Sequence, residues 1–340
     1  MKPKPNIFDY ATSELSQDAF LCWLIQWANK DYQNIDSYLN NCAISFVQSL
    51  LEKDHSFKIE KVEVRKQWKN IDVCALVNEK YFLVIEDKKG TKEHSNQLIR
   101  YSEIAKKHYE KSDIEVKLIY FKMEEQGDYS NVKKAGYLIF QRSKMLSILK
   151  NYILKTGKSK QNDIIVDYYE NLKNLDININ SFLTNPLNEW NAYSWKGFYF
   201  ALQKYIRGKW GYISNPSGGF EGFSWNWNSS IIEGVKVEYY LQLEQDRLVF
   251  KLYVPDKNKR KKLRTLFRRF LNKNANEMNI NISNFGRLGK FMGIAKLSTD
   301  YRITQENGLL NFHETVYNLK KITNLLNSIE SEIEAYNKGI

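Results

Sequence analysis

No run of about 18 apolar residues occurs in the 340-residue chain, which argues against a membrane-spanning helix. Its opening stretch, MKPKPNIFDYATSEL, lacks the apolar centre of a secretory signal. Cysteine is scarce: Cys22, Cys42 and Cys74 lie far apart and form no CxxC pair, so no zinc or disulfide framework is visible. All three sit in apolar patterns and read as buried, reduced thiols, in keeping with a soluble cytoplasmic protein and no membrane partner. The four histidines (His55, His94, His108, His313) share no metal-ligand spacing. Gly218-Gly219 stands outside any GxGxxG or P-loop context and reads as a turn. No helicase or methylase signature and no internal repeat is present.

What the chain does contain is enough apolar material for a proper core. Hydrophobic residues make up 43% and aromatics 14%. The length suits about two domains. A net charge of +12 favours a polyanionic partner without naming one.

Hydrophobic period then divides the first half. Residues 16–29 read as an amphipathic helix, with Ser16 as N-cap and Phe20, Leu21, Trp23, Leu24 and Trp27 on its apolar face. A second helix is expected over 35–53. The period becomes two over 57–67, 70–77 and 80–88, a three-stranded meander with a tight turn at Asn78-Glu79. A helix over 93–110, strands at 114–122 and 136–141, and helices at 142–155 and 160–175 complete this half. A helix crossing between the third and fourth strands implies a mixed α/β sheet flanked by helices.

Chemistry concentrates between residues 70 and 101. Thirteen residues separate Asp72 from Glu86-Asp87-Lys88, on neighbouring strands. Alternation puts Glu86 and Lys88 on one face of the third strand and Asp87 on the other. Carboxylates are depleted from strands, and FLVI directly before Glu86 marks a buried central strand in which charge requires a partner. Asp72 and Glu86 suit a partial shell for a hard divalent cation. Lys88 suits orientation of a water or stabilisation of developing charge, and the Asp87 carbonyl can reach the ion. Gln97 and Tyr101, four apart, share one face of the following helix.

This constellation resembles the PD-(D/E)XK nuclease superfamily, over about residues 10–145. Gln97-x-x-x-Tyr101 looks like the QxxxY motif of its exonuclease-related branches, such as the RecB nuclease domain and lambda exonuclease. The resemblance implies a restriction-endonuclease-like core and metal-dependent phosphodiester hydrolysis. It implies Mg²⁺ or Mn²⁺ held by Asp72, Glu86 and the Asp87 carbonyl, with Lys88 positioning the water. Gln97 and Tyr101 would support the lysine or touch the DNA backbone. The acidic residue that the family often carries on its first helix matches Glu14 best and Asp18 second. The proline of the family name is absent, since Ile71 precedes Asp72. The substrate implied is DNA, with RNA as the other polymer. Stand-alone relatives of this type act in DNA processing, restriction or phage defence.

The expected organisation is a nuclease-like domain over 1–156, a helical, Asn-rich connector over 157–187, and a basic α+β domain over 188–340. The last is expected to begin with a helix at 188–207. Strands follow at 221–228, 231–243, 247–254 and 290–298, with helices at 257–273 and 313–337. Residues 251–300 carry 13 Lys/Arg against 3 Asp/Glu. Along the 257–273 helix Leu263, Leu266, Phe267, Phe270 and Leu271 form one face. Lys261, Arg264 and Arg268 lie among the cations available to phosphates. This half suits DNA recognition, ligand sensing, partner binding or homodimer formation. Two rivals to a constitutive nuclease follow: a non-catalytic nucleic-acid-binding protein on the same fold, and a defence effector whose second half senses a ligand and gates the first.

Overall fold

The computed structural model describes residues 4–88, 96–215 and 218–339. The chain divides into two compact units, Met1–Ile177 and Asn178–Ile340. The division falls inside the segment 157–187.

The first unit is a three-layer α/β structure. Its elements are α1 (Glu14–Gln26), α2 (Ser37–Leu50), β1 (Val62–Trp68), β2 (Ile71–Val77), β3 (Tyr81–Lys88), α3 (Gln97–His108), β4 (Glu115–Lys122), α4 (Ser130–Lys134), β5 (Leu138–Gln141), α5 (Arg142–Lys155) and the start of α6 (Asp163–Asn180). The sheet order is β1-β2-β3-β4-β5. The first three strands are antiparallel; β4 joins β3, and β5 joins β4, in parallel. The meander turns where Asn78 and Glu79 both adopt positive φ, and the Asn78 side chain accepts from the Glu60 and Lys61 amides.

β3 is the central strand, and all eight of its residues are buried. Leu83 and Ile85 pack with Leu21, Leu24 and Phe46 in the core shared with α1, α2, α5 and α6. Phe82 and Val84 pack with Leu98, Tyr101 and Tyr137 on the α3 side. Each such side chain contributes roughly 1.5–3 kcal/mol on burial. This two-sided anchoring fixes which way Glu86, Asp87 and Lys88 project at the end of the strand.

Ser13, rather than Ser16, caps α1, accepting from the Ser16 amide, so the helix starts earlier than its apolar pattern indicates. Residues 57–61 lie outside β1. Part of the expected connector belongs to a core: Ile165, Tyr168 and Leu172 of α6 are buried in the first unit.

The second unit contains α7 (Ala192–Leu202), β6 (Gly208–Asn215), β7 (Gly218–Ile232), β8 (Val235–Glu244), β9 (Arg247–Tyr253), α8 (Arg260–Glu277), β10 (Ile282–Asn284), β11 (Phe291–Leu297) and α9 (Phe312–Lys338). Its antiparallel sheet runs β10-β11-β9-β8-β7-β6. Strand β6 was not expected from the sequence. The β7–β8 break comes at Glu233-Gly234, both at positive φ, later than the apolar runs suggest. Gly197 is required by packing, because a Cβ there would stand 1.8 Å from the Ile179 carbonyl oxygen. No helix among the described residues is long and apolar enough to cross a membrane.

Candidate active site

The end of β3, the start of β2 and the first turns of α1 converge on one cluster of charge. Asp72 Oδ2 accepts the Asp87 backbone N–H at 3.2 Å, which ties β2 to β3 at this point. Lys88 Nζ stands 2.6 Å from Glu86 Oε1 and 3.9 Å from Glu14 Oε2. On the opposite face, Gln17 Nε2 donates to Asp87 Oδ1 at 2.6 Å. Tyr168 OH on α6 donates to Gln17 Oε1 at 3.4 Å. Asp18 follows Gln17 on α1 and is buried.

Acidic charge exceeds its compensation here. Asp18 Oδ1, Asp87 Oδ2 and both Glu86 oxygens are buried and accept no hydrogen bond. The Lys88–Glu86 contact is close in distance but lacks hydrogen-bond direction, so it neutralises without saturating. Burial pushes Glu86 up to about 8, reinforced by Asp72 and opposed by Lys88. Burial likewise lifts Asp18 to about 6, with Asp72 adding and Lys66 opposing. Asp87 is driven well above the ordinary carboxylate range by burial, against the Gln17 hydrogen bond. Asp72 is raised by burial against Lys88 and the Asp87 N–H. Burial lowers Lys88, but Glu86, Glu14 and Asp72 outweigh it and hold the ammonium above its ordinary value. Unpaired buried carboxylate is expensive, so this cluster is poised to take a further cation.

The donor chemistry fits Mg²⁺ or Mn²⁺, since every spare donor is a carboxylate or carbonyl oxygen. Among the described residues no three His, Cys, Asp or Glu side chains are already gathered as ligands around one point. Lys88 is the counter-charge nearest Glu86 in this arrangement.

The residues on the α3 side fall as follows. Gln97 Nε2 donates to Tyr101 OH at 3.2 Å, so the pair does meet on α3, with Tyr101 buried. Tyr137 OH donates to the Leu98 carbonyl, and the Tyr137 hydroxyl is raised by burial and then by Glu86. Arg65 Nη1 reaches Tyr109 OH at 3.4 Å, on the α3 side. His94 lies outside the described residues. All three cysteines are free; Cys42 and Cys74 are buried and Cys22 is half-buried.

Three contributors were not singled out from sequence. Gln17 reads as an ordinary first-turn residue, yet it is buried against Asp87. Lys66, on β1, is the cation that most eases Asp18. Lys122 pairs in register with Lys88 across the parallel β3–β4 ladder and is also buried. A lysine ending an apolar strand was the available signal for the last.

In the second unit α8 buries Leu263, Leu266, Phe267, Phe270 and Leu271. Arg268 Nε donates to the Ile294 carbonyl at 2.9 Å, and its Nη2 to the Phe285 carbonyl at 3.0 Å. Arg264 Nη2 donates to the Phe285 and Gly286 carbonyls. These two guanidinium groups therefore clamp the 285–294 segment to α8. Lys261 instead lines a cleft with Lys262, Arg269 and Tyr336.

A family model described as the PD-(D/E)XK nuclease superfamily matches residues 5–181, just over half of the chain. The match spans α1 through α6 and takes in the whole charge cluster. No curated protein and no solved structure matches the chain. The chain belongs to the PD-(D/E)XK nuclease superfamily.

Proposed function

We propose that this protein is a Mg²⁺- or Mn²⁺-dependent deoxyribonuclease whose site lies at the end of β3. The observation that carries this reading is the buried, under-compensated carboxylate cluster of Asp18, Glu86 and Asp87 in a chain of a nuclease superfamily. Glu86, Asp72 and the Asp87 carbonyl would hold the ion, joined from α1 by Glu14 or Asp18. Glu14 stands 3.9 Å from Lys88, and Asp18 is buried one turn further along the same helix. The ion, when bound, supplies Lewis-acid stabilisation of phosphate charge and lowers the pKa of its water.

The protein's own groups do the rest. Lys88 shares the Glu86 face and is held cationic by three carboxylates, so it orients the attacking water or stabilises charge on the phosphate. The Gln97–Tyr101 pair, bonded to each other on α3, would support Lys88 or the DNA backbone. In the second unit the arginine clamps narrow the proposed phosphate contacts toward Lys261, with Lys262 and Arg269 in the same cleft. Such an enzyme fits DNA processing or phage defence.

The test is incubation of the full chain with supercoiled plasmid, single-stranded DNA and RNA in Mg²⁺, in Mn²⁺ and in EDTA. Cleavage of DNA with either ion and none in EDTA is expected. EDTA-resistant cleavage, or inert protein on every substrate, would contradict the enzyme reading. Cleavage of RNA alone would replace the substrate.

A further inference from the structure

We propose that Gln17, braced by Tyr168, is a positioning residue for the metal-binding edge of β3. Its amide fixes the Asp87 carboxyl on the α1 face and thereby sets the Asp87 peptide that serves Asp72. This rests on the nuclease reading and adds a residue that the D–ExK and QxxxY patterns do not contain.

Asp87 lies between Glu86 and Lys88, and every shift of its peptide moves both. Its three polar handles point different ways. The backbone N–H goes to Asp72 Oδ2 at 3.2 Å, and the carbonyl is a proposed ligand. The side-chain Oδ1 accepts from Gln17 at 2.6 Å, while Oδ2 accepts no hydrogen bond. Gln17 Nε2 is thus the directed donor that holds this buried carboxyl in one rotamer.

The choice of glutamine follows from the two bonds it makes. It must donate to a carboxyl and accept from a phenol, which an amide does without adding charge. Glutamate cannot donate when ionised, and lysine cannot accept. Tyr168 is itself held by its ring, stacked on Phe20 at 3.8 Å and edge-on to Phe8 at 5.0 Å. Gln17, Tyr168 and Asp87 are all buried, so neither bond is replaced by water without a rearrangement. The chain Tyr168–Gln17–Asp87–Asp72 therefore links α6 and α1 to both strands of the site. Ligand geometry tolerates only about 0.5 Å of error, and such supporting bonds hold it within that limit.

The experiment compares Gln17→Leu, Tyr168→Phe and the control Leu172→Ala in the full chain. Leu172 is buried on the same helix as Tyr168, in the same core, and stands outside this network. Two quantities are read: amide exchange at Asp87 without metal, and Mn²⁺ affinity by calorimetry. Gln17→Leu should speed Asp87 exchange and weaken Mn²⁺ binding, each about tenfold, the range seen for supporting partners of metal ligands. Tyr168→Phe should shift both about two- to threefold in the same direction, as loss of one modest hydrogen bond does. Leu172→Ala should lower the melting temperature, speed exchange no more at Asp87 than across the rest of β3, and leave Mn²⁺ affinity unchanged.

The proposal is overturned if folded Gln17→Leu keeps wild-type exchange and affinity. It is also overturned if Leu172→Ala weakens Mn²⁺ binding as much at equal loss of stability, since the effect would then be ordinary destabilisation. Should Gln17→Leu not fold, an Asp87 amide unaffected by Tyr168→Phe overturns it. If the wild-type chain binds no Mn²⁺, the nuclease reading falls by itself, and exchange at Asp87 alone decides whether Gln17 sets that peptide.

Discussion

Glu86→Gln should reduce metal-dependent DNA cleavage by at least about a hundredfold, the scale on which removal of one preorganised electrostatic group acts. Glu86 is fully buried at the end of the central strand, and neither of its oxygens accepts a hydrogen bond. Glutamine keeps the shape and removes the negative charge that would hold the cation. Lys88→Ala should reduce cleavage on the same scale for a different reason, because it removes the ammonium 2.6 Å from Glu86. The two variants separate in stability. Glu86→Gln relieves a crowded buried carboxylate while Lys88 keeps Glu14 and Asp72 as counter-charges, so it should melt at or above the wild-type temperature at pH 8 without metal. Lys88→Ala leaves Glu86 without its counter-charge and should lose about 3–5 kcal/mol under the same conditions. Initial rates on a labelled oligonucleotide, with thermal melts of the same preparations, check both halves. A Glu86→Gln protein that cleaves at the wild-type rate would remove this residue from the site.

The second expectation concerns pH. Glu86 is raised by burial to about 8, and Asp18 to about 6, above the ordinary values of 4.5 and 3.8. The folded state therefore retains protons that the unfolded chain releases. For a carboxyl raised in this way, the stabilising contribution is complete below the unfolded pKa and is lost as pH rises through the folded one. Lys88, also raised, stabilises while it remains charged and loses that contribution only at higher pH. In EDTA the melting temperature should thus be highest in mild acid and fall between about pH 5 and 9. Each unit of offset corresponds to about 1.4 kcal/mol, so the first unit should lose several kcal/mol across the range. Saturating Mn²⁺ at pH 8 should recover much of this, since a ligand at a hundred times its dissociation constant stabilises by about 2.7 kcal/mol. A melting temperature that is flat or rises toward pH 9 would contradict the assigned burial of these carboxylates.

The strand-borne part of the proposed site is legible in the sequence, because alternation along a strand is a strict geometric rule. FLVI fixes β3 as a central strand, and a period of two then sends Glu86 and Lys88 one way and Asp87 the other. The Gln97–Tyr101 pair was readable for the same reason, from helical spacing. The superfamily resemblance and the mixed sheet agree with the family match.

What was not readable depends on partners distant in sequence. Gln17 is a polar residue at a helix start, and the local pattern gives it to solvent. It is buried because β3 and α6 close over it, the latter about 150 residues away. Arg264 and Arg268 look free on a basic helix, yet their forks are taken by carbonyls of residues 285, 286 and 294. Nothing in the local sequence marks such a carbonyl as an acceptor. β6 was missed because GKWGYISN mixes glycine with aromatics and has no clean alternation. Only its register with β7 makes it a strand.

The claim that the Asp72–Glu86 cluster holds a divalent cation is tested most directly by following free Mn²⁺ with electron paramagnetic resonance. Wild-type chain, Asp72→Asn and Glu86→Gln would be titrated in parallel at pH 8. The account predicts saturable Mn²⁺ uptake by the wild-type chain, weakened at least about tenfold in each variant. Equal uptake by all three, or none by the wild-type chain, would contradict it.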